Sequence, residues 1–187
     1  MRNSGYYSEQ ELDELGIQRG KHVLISRKVS LYTSRCEIGD HVRIDDFCVL
    51  TGDIKLGSFV HVGSFCLLSG NSGIIINDFT TFSSRVSLFS QSDDYSGEFM
   101  VSPMVDGSYT NVKKGTIIIE KFCLIGSGSI ILPQVILTEG TSVGSLSLVK
   151  QTTEAWSMYA GIPAKKIKDR HRNILELQKQ FLEGLEK

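Results

Sequence analysis

The 187-residue sequence lacks an excess of charge of either sign and any long apolar run. Its 20 lysines and arginines nearly balance its 21 aspartates and glutamates, so the charge does not favour nucleic acid or an acidic membrane as a partner. No stretch approaches the roughly 20 apolar residues that span a bilayer, and residues 1–15 lack the apolar centre of a secretory signal. We therefore expect a cytoplasmic protein with neither partner.

Cysteine and proline are also scarce. The four cysteines have no Cys-x-x-Cys spacing, so the sequence predicts neither a zinc site, nor any other metal site, nor a redox pair. Three prolines against 18 glycines favour a β-structure with many tight corners, because glycine adopts positive φ without strain. The length suits one well-buried domain.

What the sequence has instead is a six-residue repeat of apolar residues. The repeat runs through 38–68, resumes over 76–88 after a two-residue slip, and runs again through 119–149. Six is a multiple of the strand period of two but not of the helical period of 3.6, so only strands keep these residues on one face. Three hexads would make one triangular coil, in which inward residues such as Cys48 and Cys66, 18 positions apart, stack on one another.

This repeat, over about 25–149, resembles that of the hexapeptide-repeat acyltransferases. The resemblance implies an all-β fold, namely a left-handed parallel β-helix with a long inserted loop and a short C-terminal α-helix. We assign 1–22 to an N-terminal cap, 23–167 to the β-helix with the inserted loop 91–114, and 168–187 to the C-terminal helix.

Helices are predicted at both ends of the coil. Ser8 followed by Glu11 has the spacing of a capping box, and Leu12 would lie on one face of a short helix. Apolar residues at helical spacing over 174–185 predict an amphipathic C-terminal helix. Because the open ends of a solenoid expose strand edges, we expect each helix to cover one end.

The segment after the repeat carries the predicted donor site. Residues 158–170, MYAGIPAKKIKDR, resemble the Ala-Gly-x-Pro-Ala-Lys segment with which many coenzyme-A-using members of the family close their coils. The resemblance implies acyl-coenzyme A as co-substrate, its pantetheine arm lying between adjacent coils and lysines near its phosphates. A lysine at such a corner is alternatively only solvated. The predicted donor-binding residues are Gly126, Ser127, Gly144, Ser145, Lys150, Pro163, Lys165 and Lys166.

The long loop carries the predicted acceptor site. Sugar O-acetyltransferases of the family have a histidine where this loop starts, but residues 90–95 contain none. A free amine already has the lone pair that a sugar hydroxyl gains only with the help of a base, so we expect an amino-sugar acceptor. The loop and the N-terminal GYYSEQELDELG resemble nucleotide-sugar amine N-acyltransferases, such as those acting on dTDP-4-amino-4,6-dideoxyglucose.

Within this resemblance we assign catalytic roles to Asp94 and Ser84. Asp94 would accept hydrogens of the amine and orient its lone pair, while Ser84 would lie near the reacting carbonyl or the sulfur. Asp93, Tyr95 and Glu98 would contact the sugar. In the alternative interpretation, Asp93 and Asp94 only cap the loop.

Two other functions stay open at this point. One is a sugar or polysaccharide O-acetyltransferase that uses an aspartate or a histidine from a neighbouring subunit. The other is a β-helix without acyl transfer, such as a carbonic-anhydrase-like trimer, but that needs three zinc-binding histidines and no such trio is evident in the sequence. We expect a homotrimer, because family relatives place their active sites between neighbouring β-helices. The histidines, interpreted as surface or corner residues, are His22, His41, His61 and His171.

Overall fold

A computed structural model describes residues 5–185, whose regular structure is mainly short strands, with one helix near each end. A 3₁₀ turn, Gly107–Tyr109, lies within the long loop. In chain order the elements are α1 (Glu9–Glu14), β1 (Gln18–Arg19), β2 (Leu24–Ile25), β3 (Ser30–Ile38), β4 (Arg43–Ile44), β5 (Val49–Leu56), β6 (His61–Val62), β7 (Leu67–Ile76), β8 (Thr81–Phe82), β9 (Ser87–Phe89), β10 (Gln91–Ser92), β11 (Lys113–Lys114), β12 (Ile117–Ile119), β13 (Leu124–Ile125), β14 (Ile130–Ile131), β15 (Ile136–Leu137), β16 (Ser142–Val143), β17 (Leu148–Val149), β18 (Ser157–Gly161), β19 (Ala164–Asp169) and α2 (Ile174–Leu185).

The strands stack in parallel on three faces, which confirms the predicted β-helix. The first face holds β1, the ends of β3, β5 and β7, and then β12 and β15. The second face holds β2, β4, β6, β8, β13, β16 and β18. The third holds the starts of β3, β5 and β7, and then β9, β14 and β17. The strands β3 and β5 bend from the third face to the first at β-bulges, where the pairing register shifts.

The hexad residues form the core of the β-helix. All of them are buried, and the most exposed, Ile38, has only 5% of its surface accessible. The pairing of Val49 with Leu67 sets Cys48 above Cys66 in the next coil, as the 18-residue spacing predicts. Burying each such side chain stabilises the fold by about 1.5–3 kcal/mol relative to leaving it in water. The core therefore runs as a continuous column through the coils.

The four cysteines are free and serve this packing. Burial raises the pKa of Cys36 to about 11 and that of Cys123 to about 12, so both stay protonated at neutral pH. The hydrogen bond with Cys48, together with burial, raises the pKa of Cys66 well above its ordinary value. The same hydrogen bond lowers the pKa of Cys48, so the raised pKa is a property of the other three thiols.

The long loop leaves the stacking of the coils undisturbed. Ile118 of β12 lies directly opposite Ile75 of β7, although the whole loop separates them in sequence. The loop closes on itself, because β10 and β11 pair antiparallel with Gln91 opposite Lys114. The chain thus leaves the coil and returns to it at nearly the same point.

The helix α1 begins with the predicted capping box. Ser8 Oγ accepts a hydrogen bond from the Glu11 backbone N–H at 3.4 Å, and the Glu11 carboxylate accepts one from the Ser8 N–H at 2.8 Å. Leu12, 1% exposed, inserts into the end of the core. The helix therefore covers the first coil, as expected, while residues 1–4 lie outside the described part of the chain.

The far end of the coil differs from the prediction. A hairpin of β18 and β19, turning at Gly161 and Pro163, extends the second face there, with β18 paired to β16. Residues 168–169, which we had assigned to the C-terminal helix, belong to β19 instead, and α2 begins only at Ile174. Residues 186–187 of the predicted helix lie outside the described residues.

The helix α2 lies along the side of the coil, against the corner between the first and second faces. We call this the aromatic corner, because ring centroids follow one another at 4.6 to 6.0 Å through its row. Phe181 of α2 packs edge-on against two of these rings, Phe59 at 5.4 Å and Phe79 at 6.5 Å. Because β19 runs antiparallel to β18, it returns the chain to this corner rather than across the open end. The row consists of His22, His41, Phe59, Phe79, Phe122 and Trp156.

Neither α1 nor α2 has the length and apolar composition needed to cross a membrane, and residues 5–185 contain no other α-helix.

Candidate functional site

The predicted catalytic serine and the predicted donor-binding serines lie in one row. Ser84, Ser127 and Ser145 each follow a second-face strand by two residues, at the corner between the second and third faces. Backbone hydrogen bonds join them, since the N–H of Gly128 donates to Ser84 O at 3.1 Å and that of Leu146 to Ser127 O at 2.8 Å. All three serines are exposed. We call this corner the serine corner.

The glycines beside this row are required by the packing of the coils. A Cβ on Gly126 would lie 2.5 Å from the backbone nitrogen of Ser145 in the next coil, and Gly144 is similarly confined. The carbonyl of Gly144 already accepts hydrogen bonds from the hydroxyls of Ser129 and Ser147, at 2.9 and 2.7 Å. The packing of the coils therefore requires glycine at positions 126 and 144, whether or not a donor binds beside them.

The predicted phosphate-binding lysines differ in how free their charges are. Lys166 Nζ contacts Asp169 at 2.8 Å and Glu154 at 2.7 Å, and these carboxylates raise its pKa. Two carboxylates thus neutralise a charge that the prediction reserved for a ligand. Lys150 and Lys165, by contrast, are exposed and form no ion pair within residues 5–185. Only these two retain the charge that the prediction needs.

Asp94 caps a turn within its own loop. One carboxylate oxygen accepts hydrogen bonds from the N–H (2.7 Å) and hydroxyl of Ser96, and the other accepts one from Asn111 Nδ2 at 3.5 Å. These bonds, chiefly those from Ser96, hold the pKa of Asp94 below its ordinary value. The carboxylate is therefore ionised at neutral pH, and it remains partly exposed. Asp94 therefore caps a turn in the single chain, and its carboxylate keeps lone pairs available to a ligand.

Ser84 and Asp94 do not meet within one chain. No contact joins them in the part of the chain that the structure describes. Ser84 precedes the third-face strand β9, whereas Asp94 belongs to the loop that leaves from the far end of that strand. One chain therefore presents the two predicted catalytic groups at opposite ends of a strand.

A cavity of about 710 Å³ lies between the loop and the third face. Its floor is apolar and includes Ile130 and Leu148, while Asp93 and Tyr95 contribute from the loop. Two of the predicted sugar-contacting residues therefore lie together, but Glu98 does not line the cavity. The cavity also excludes Ser84 and Asp94, so it is not by itself the predicted catalytic site. Its remaining lining is Phe89, Gln91, Ser92, Ser102, Pro103, Val105, Thr110, Val112 and Leu132.

Three of the four histidines make structural contacts, and His171 is exposed. His22 and His41 stack with each other at 4.6 Å in the aromatic corner, and His61 Nε2 lies 2.9 Å from the Asp45 carboxylate. Within residues 5–185, no three histidine, cysteine, aspartate or glutamate side chains are grouped so as to hold a metal. The carbonic-anhydrase-like alternative therefore has no ligand set among these residues.

The chain is similar to known acyltransferases over nearly its whole length, although no protein-family model matches it. It is 42% identical over 181 residues to the dTDP-4-amino-4,6-dideoxy-D-glucose acyltransferase of Escherichia coli, with 94% of each chain covered. The chain belongs to this acyltransferase family. The resemblance noted in the sequence is thereby confirmed.

Solved structures of AntD, an N-acyltransferase from Bacillus cereus, have the same fold as this enzyme. The complex of AntD with dTDP and 3-hydroxybutyryl-CoA superposes with a TM-score of 0.93 at 40% identity, covering 98% of this chain and 99% of AntD. The S84A variant of AntD, in complex with dTDP-4-amino-4,6-dideoxyglucose and coenzyme A, gives a TM-score of 0.92 at 40% identity, covering 96% and 98%. The predicted enzyme class and the predicted co-substrate, acyl-coenzyme A, agree with these relatives.

Proposed function

We propose that the enzyme transfers an acyl group from acyl-coenzyme A to the amine of a nucleotide-linked aminodideoxysugar of the dTDP-4-amino-4,6-dideoxyglucose type. The observation that carries the proposal is the 42% identity to the Escherichia coli enzyme named for that substrate, over 94% of both chains. The fold alone would not carry it, because one fold serves many functions. The AntD complexes with dTDP, the aminosugar and coenzyme A support the same substrates.

The serine corner suits a linear donor. Ser127 and Ser145 are exposed neighbours in successive coils, so a pantetheine arm lying along the corner passes both. The row continues to Ser84 in the preceding coil, where the thioester of such a donor would end. Lys150, Lys165 and the turn at Pro163 would lie toward the phosphate end, while Lys166 contributes less because its charge is already paired.

The reaction needs an amine lone pair and a place for developing charge. The neutral amine attacks the thioester carbonyl, a C–N bond forms, and the C–S bond breaks as the coenzyme A thiolate leaves. The nitrogen then gives up one proton and the thiolate takes one up, so the products are the amide and the coenzyme A thiol. The Ser84 hydroxyl would donate a hydrogen bond to the carbonyl oxygen or to the sulfur, and the Asp94 carboxylate would accept a hydrogen bond from the amine. A carboxylate with a lowered pKa is too weak a base to deprotonate an ammonium group. Asp94 would therefore orient the amine, which loses its proton to solvent.

We infer that a homotrimer completes this site, with the loop of one subunit carrying Asp94 to the serine corner of the next. The separation of Ser84 from Asp94 within one chain supports this arrangement. So does the exposure of the loop, where Tyr95 is 93% and Met104 is 91% accessible. Asp93 and Glu98 would accompany Asp94 to the sugar. Light scattering should give three times the chain mass, and a monomer at working concentration would exclude the composite site.

Product analysis tests the function. The enzyme should convert dTDP-4-amino-4,6-dideoxyglucose and an acyl-coenzyme A into a base-stable amide one acyl group heavier, detected by mass spectrometry. The matched control acceptor is dTDP-6-deoxyglucose, which has a hydroxyl in place of the amine and should not react. A base-labile ester on the control would instead favour an O-acetyltransferase. We place the reaction in the cytoplasm, with no nucleic acid or membrane taking part.

A further inference from the structure

We propose that Arg85 binds the diphosphate of the acceptor and that the ring of Phe65 holds its guanidinium in position. This inference rests on the proposed function and names the residue that would distinguish a nucleotide-linked sugar from a free one. It concerns the half of the serine corner that lies on the N-terminal side of Ser84.

Arg85 ends a short ladder of stacked side chains. The rings of Phe47 and Phe65 stack at 5.0 Å, and the guanidinium carbon of Arg85 lies 5.7 Å from the Phe65 ring centroid. Backbone hydrogen bonds hold the row in register, with the N–H of Phe65 donating to Asp46 O and that of Arg85 to Ser64 O, both at 3.0 Å. The ladder therefore places a cation directly after the residue proposed to contact the reacting thioester.

The hydrogen-bonding capacity of Arg85 is unused in the single chain. Arg27 and Arg43 bind carboxylates at 2.6 and 2.7 Å, and Arg170 donates to backbone carbonyls. The guanidinium of Arg85 has no hydrogen-bond acceptor within residues 5–185, and its recorded contact is with the Phe65 ring. A cation–π contact uses no hydrogen-bond donor, so the N–H groups of the guanidinium remain available to a ligand. That planar array of donors matches two phosphate oxygens at once.

The direction of approach favours a phosphate at this place. The proposed donor occupies the corner on the C-terminal side of Ser84, so the acceptor must reach the thioester from the other side. In a 4-amino sugar, the amine and the phosphate-bearing C1 lie across the pyranose ring from each other. An amine held at Ser84 would therefore put the diphosphate one ring width away, where Arg85 is the first cation. Lys28, the next cation along the ladder, is already paired with Asp46 at 2.7 Å.

A role in packing alone does not explain why the row of rings ends in an arginine at Arg85. The aromatic corner shows that this backbone position accepts one ring after another through the coils. At the serine corner the rings stop at Phe65, and the next coil has an arginine beside Ser84. The rings of Phe47 and Phe65 also remain about half exposed, at 49% and 51%, and no helix or strand within residues 5–185 covers them.

The test compares two acceptors, dTDP-4-amino-4,6-dideoxyglucose and the nucleotide-free methyl 4-amino-4,6-dideoxyglucoside. Losing a charge-assisted hydrogen-bonded contact should raise KM for the dTDP sugar in Arg85→Ala on the order of tenfold to a hundredfold. The KM for acyl-coenzyme A and the rate with the nucleotide-free sugar should not change. Arg85→Lys should lie between, because lysine keeps the charge but not the planar donors. Phe65→Leu should raise the same KM to a smaller degree.

Arg172→Ala is the matched control, because the Arg172 guanidinium lies 5.5 Å from the Trp156 ring at the other corner. It should leave both acceptors unaffected. An unchanged KM for the dTDP sugar in Arg85→Ala, or equal losses with both acceptors, would overturn the proposal. So would a shift of Arg85→Ala to monomer in light scattering, which would make this row a subunit contact.

Calorimetric titration with dTDP alone separates the proposal from the proposed function. Weaker dTDP binding by Arg85→Ala than by the unchanged enzyme would support the site. Acylation of only the nucleotide-free sugar by the unchanged enzyme would refute the proposed function. Weaker dTDP binding by Arg85→Ala would still support the assignment of Arg85 in that case. Equal dTDP affinity in the two proteins would refute the assignment of Arg85.

Discussion

The aromatic corner and the serine corner use the same backbone geometry for different tasks. At both, the residue three places after the hexad position has φ near +60°, as in Phe79 (57°) and Arg85 (62°). At the aromatic corner the rings continue to Trp156, and α2 packs on them. At the serine corner the ladder ends beside Ser84, and no helix among the described residues packs on it. A row of rings that is unbroken and covered by a helix serves packing, whereas a row that ends and stays exposed is a candidate site. The presence of aromatic residues alone does not distinguish the two.

The largest expected effect is on stability at the aromatic corner. Trp156 is 5% exposed, so Trp156→Ala should lower the free energy of unfolding by about 3–5 kcal/mol. Phe65→Ala at the serine corner should cost about 1 kcal/mol, because Phe65 is 51% exposed and loses mainly its ring stacking. Urea unfolding of the protein at fixed concentration measures both. Equal losses would mean that the two corners are not different in kind.

A second expectation concerns catalysis at the serine corner. Asp94→Asn should lower kcat/KM on the order of a hundredfold, because the amine loses the charge that orients it, and Asp94→Ala should be worse. Asp106 provides the control, since it caps another turn of the same loop through the Ser108 N–H at 2.9 Å. Asp106→Asn should leave kcat/KM nearly unchanged. Equal losses at both positions would show that Asp94 acts only by shaping the loop.

The donor half of the serine corner should be sensitive to bulk. Ser127→Trp and Ser145→Trp should each weaken acyl-coenzyme A binding about tenfold or more, a change of about 1.4 kcal/mol. The midpoint of thermal unfolding should not change, because both residues are exposed. Ser64→Trp, in the same row on the other side of Ser84, should leave donor affinity unaltered. Unchanged donor affinity in both Ser127→Trp and Ser145→Trp would remove them from the groove.

The smallest expected effect is a pH dependence that belongs to the acceptor. By analogy with an α-amino group, the sugar amine should lose its proton near pH 8, so kcat/KM should rise by about tenfold per unit below that pH and then level off. The pKa of Asp94 is lowered, so its carboxylate stays charged throughout this range and adds no second pH-dependent step to the kcat/KM profile. Asp94→Asn should therefore lower the whole profile without moving it. A midpoint that moved with Asp94→Asn would identify Asp94 as a base.

The six-residue period was enough to predict the coil, because apolar residues at that spacing share one face only if they lie on strands. The same counting could have found Arg85, which stands three places after Phe82 just as Phe65 stands three places after Val62. The inserted loop hid the relation of Ser84 to Ser127, since it lengthens the separation of equivalent positions. That relation becomes visible only in the strand pairing of β8 with β13.

Other features depended on contacts that no spacing encodes. The apolar spacing of α2 predicts that one face packs, but the surface it packs against is set by the direction of β19. The pairing of Lys166 with Glu154 likewise joins a hairpin strand to the preceding turn. Asp94 was predicted from the chemistry of an absent histidine, which supplies a role but no position. Its distance from Ser84 follows only from the path of the chain.

The direct pairing of β7 with β12 makes the loop an exchangeable part. Ile118 meets Ile75 as it would if the chain had passed straight from one coil to the next, so the cost of the insertion is confined to its own closure at Gln91 and Lys114. Loops of other lengths and sequences joined at those two residues would leave the column of hexads as it is. The loop, and with it the proposed acceptor contacts, can therefore change between relatives while the fold of the coil stays the same. Grafting loops between relatives should likewise leave the coil folded.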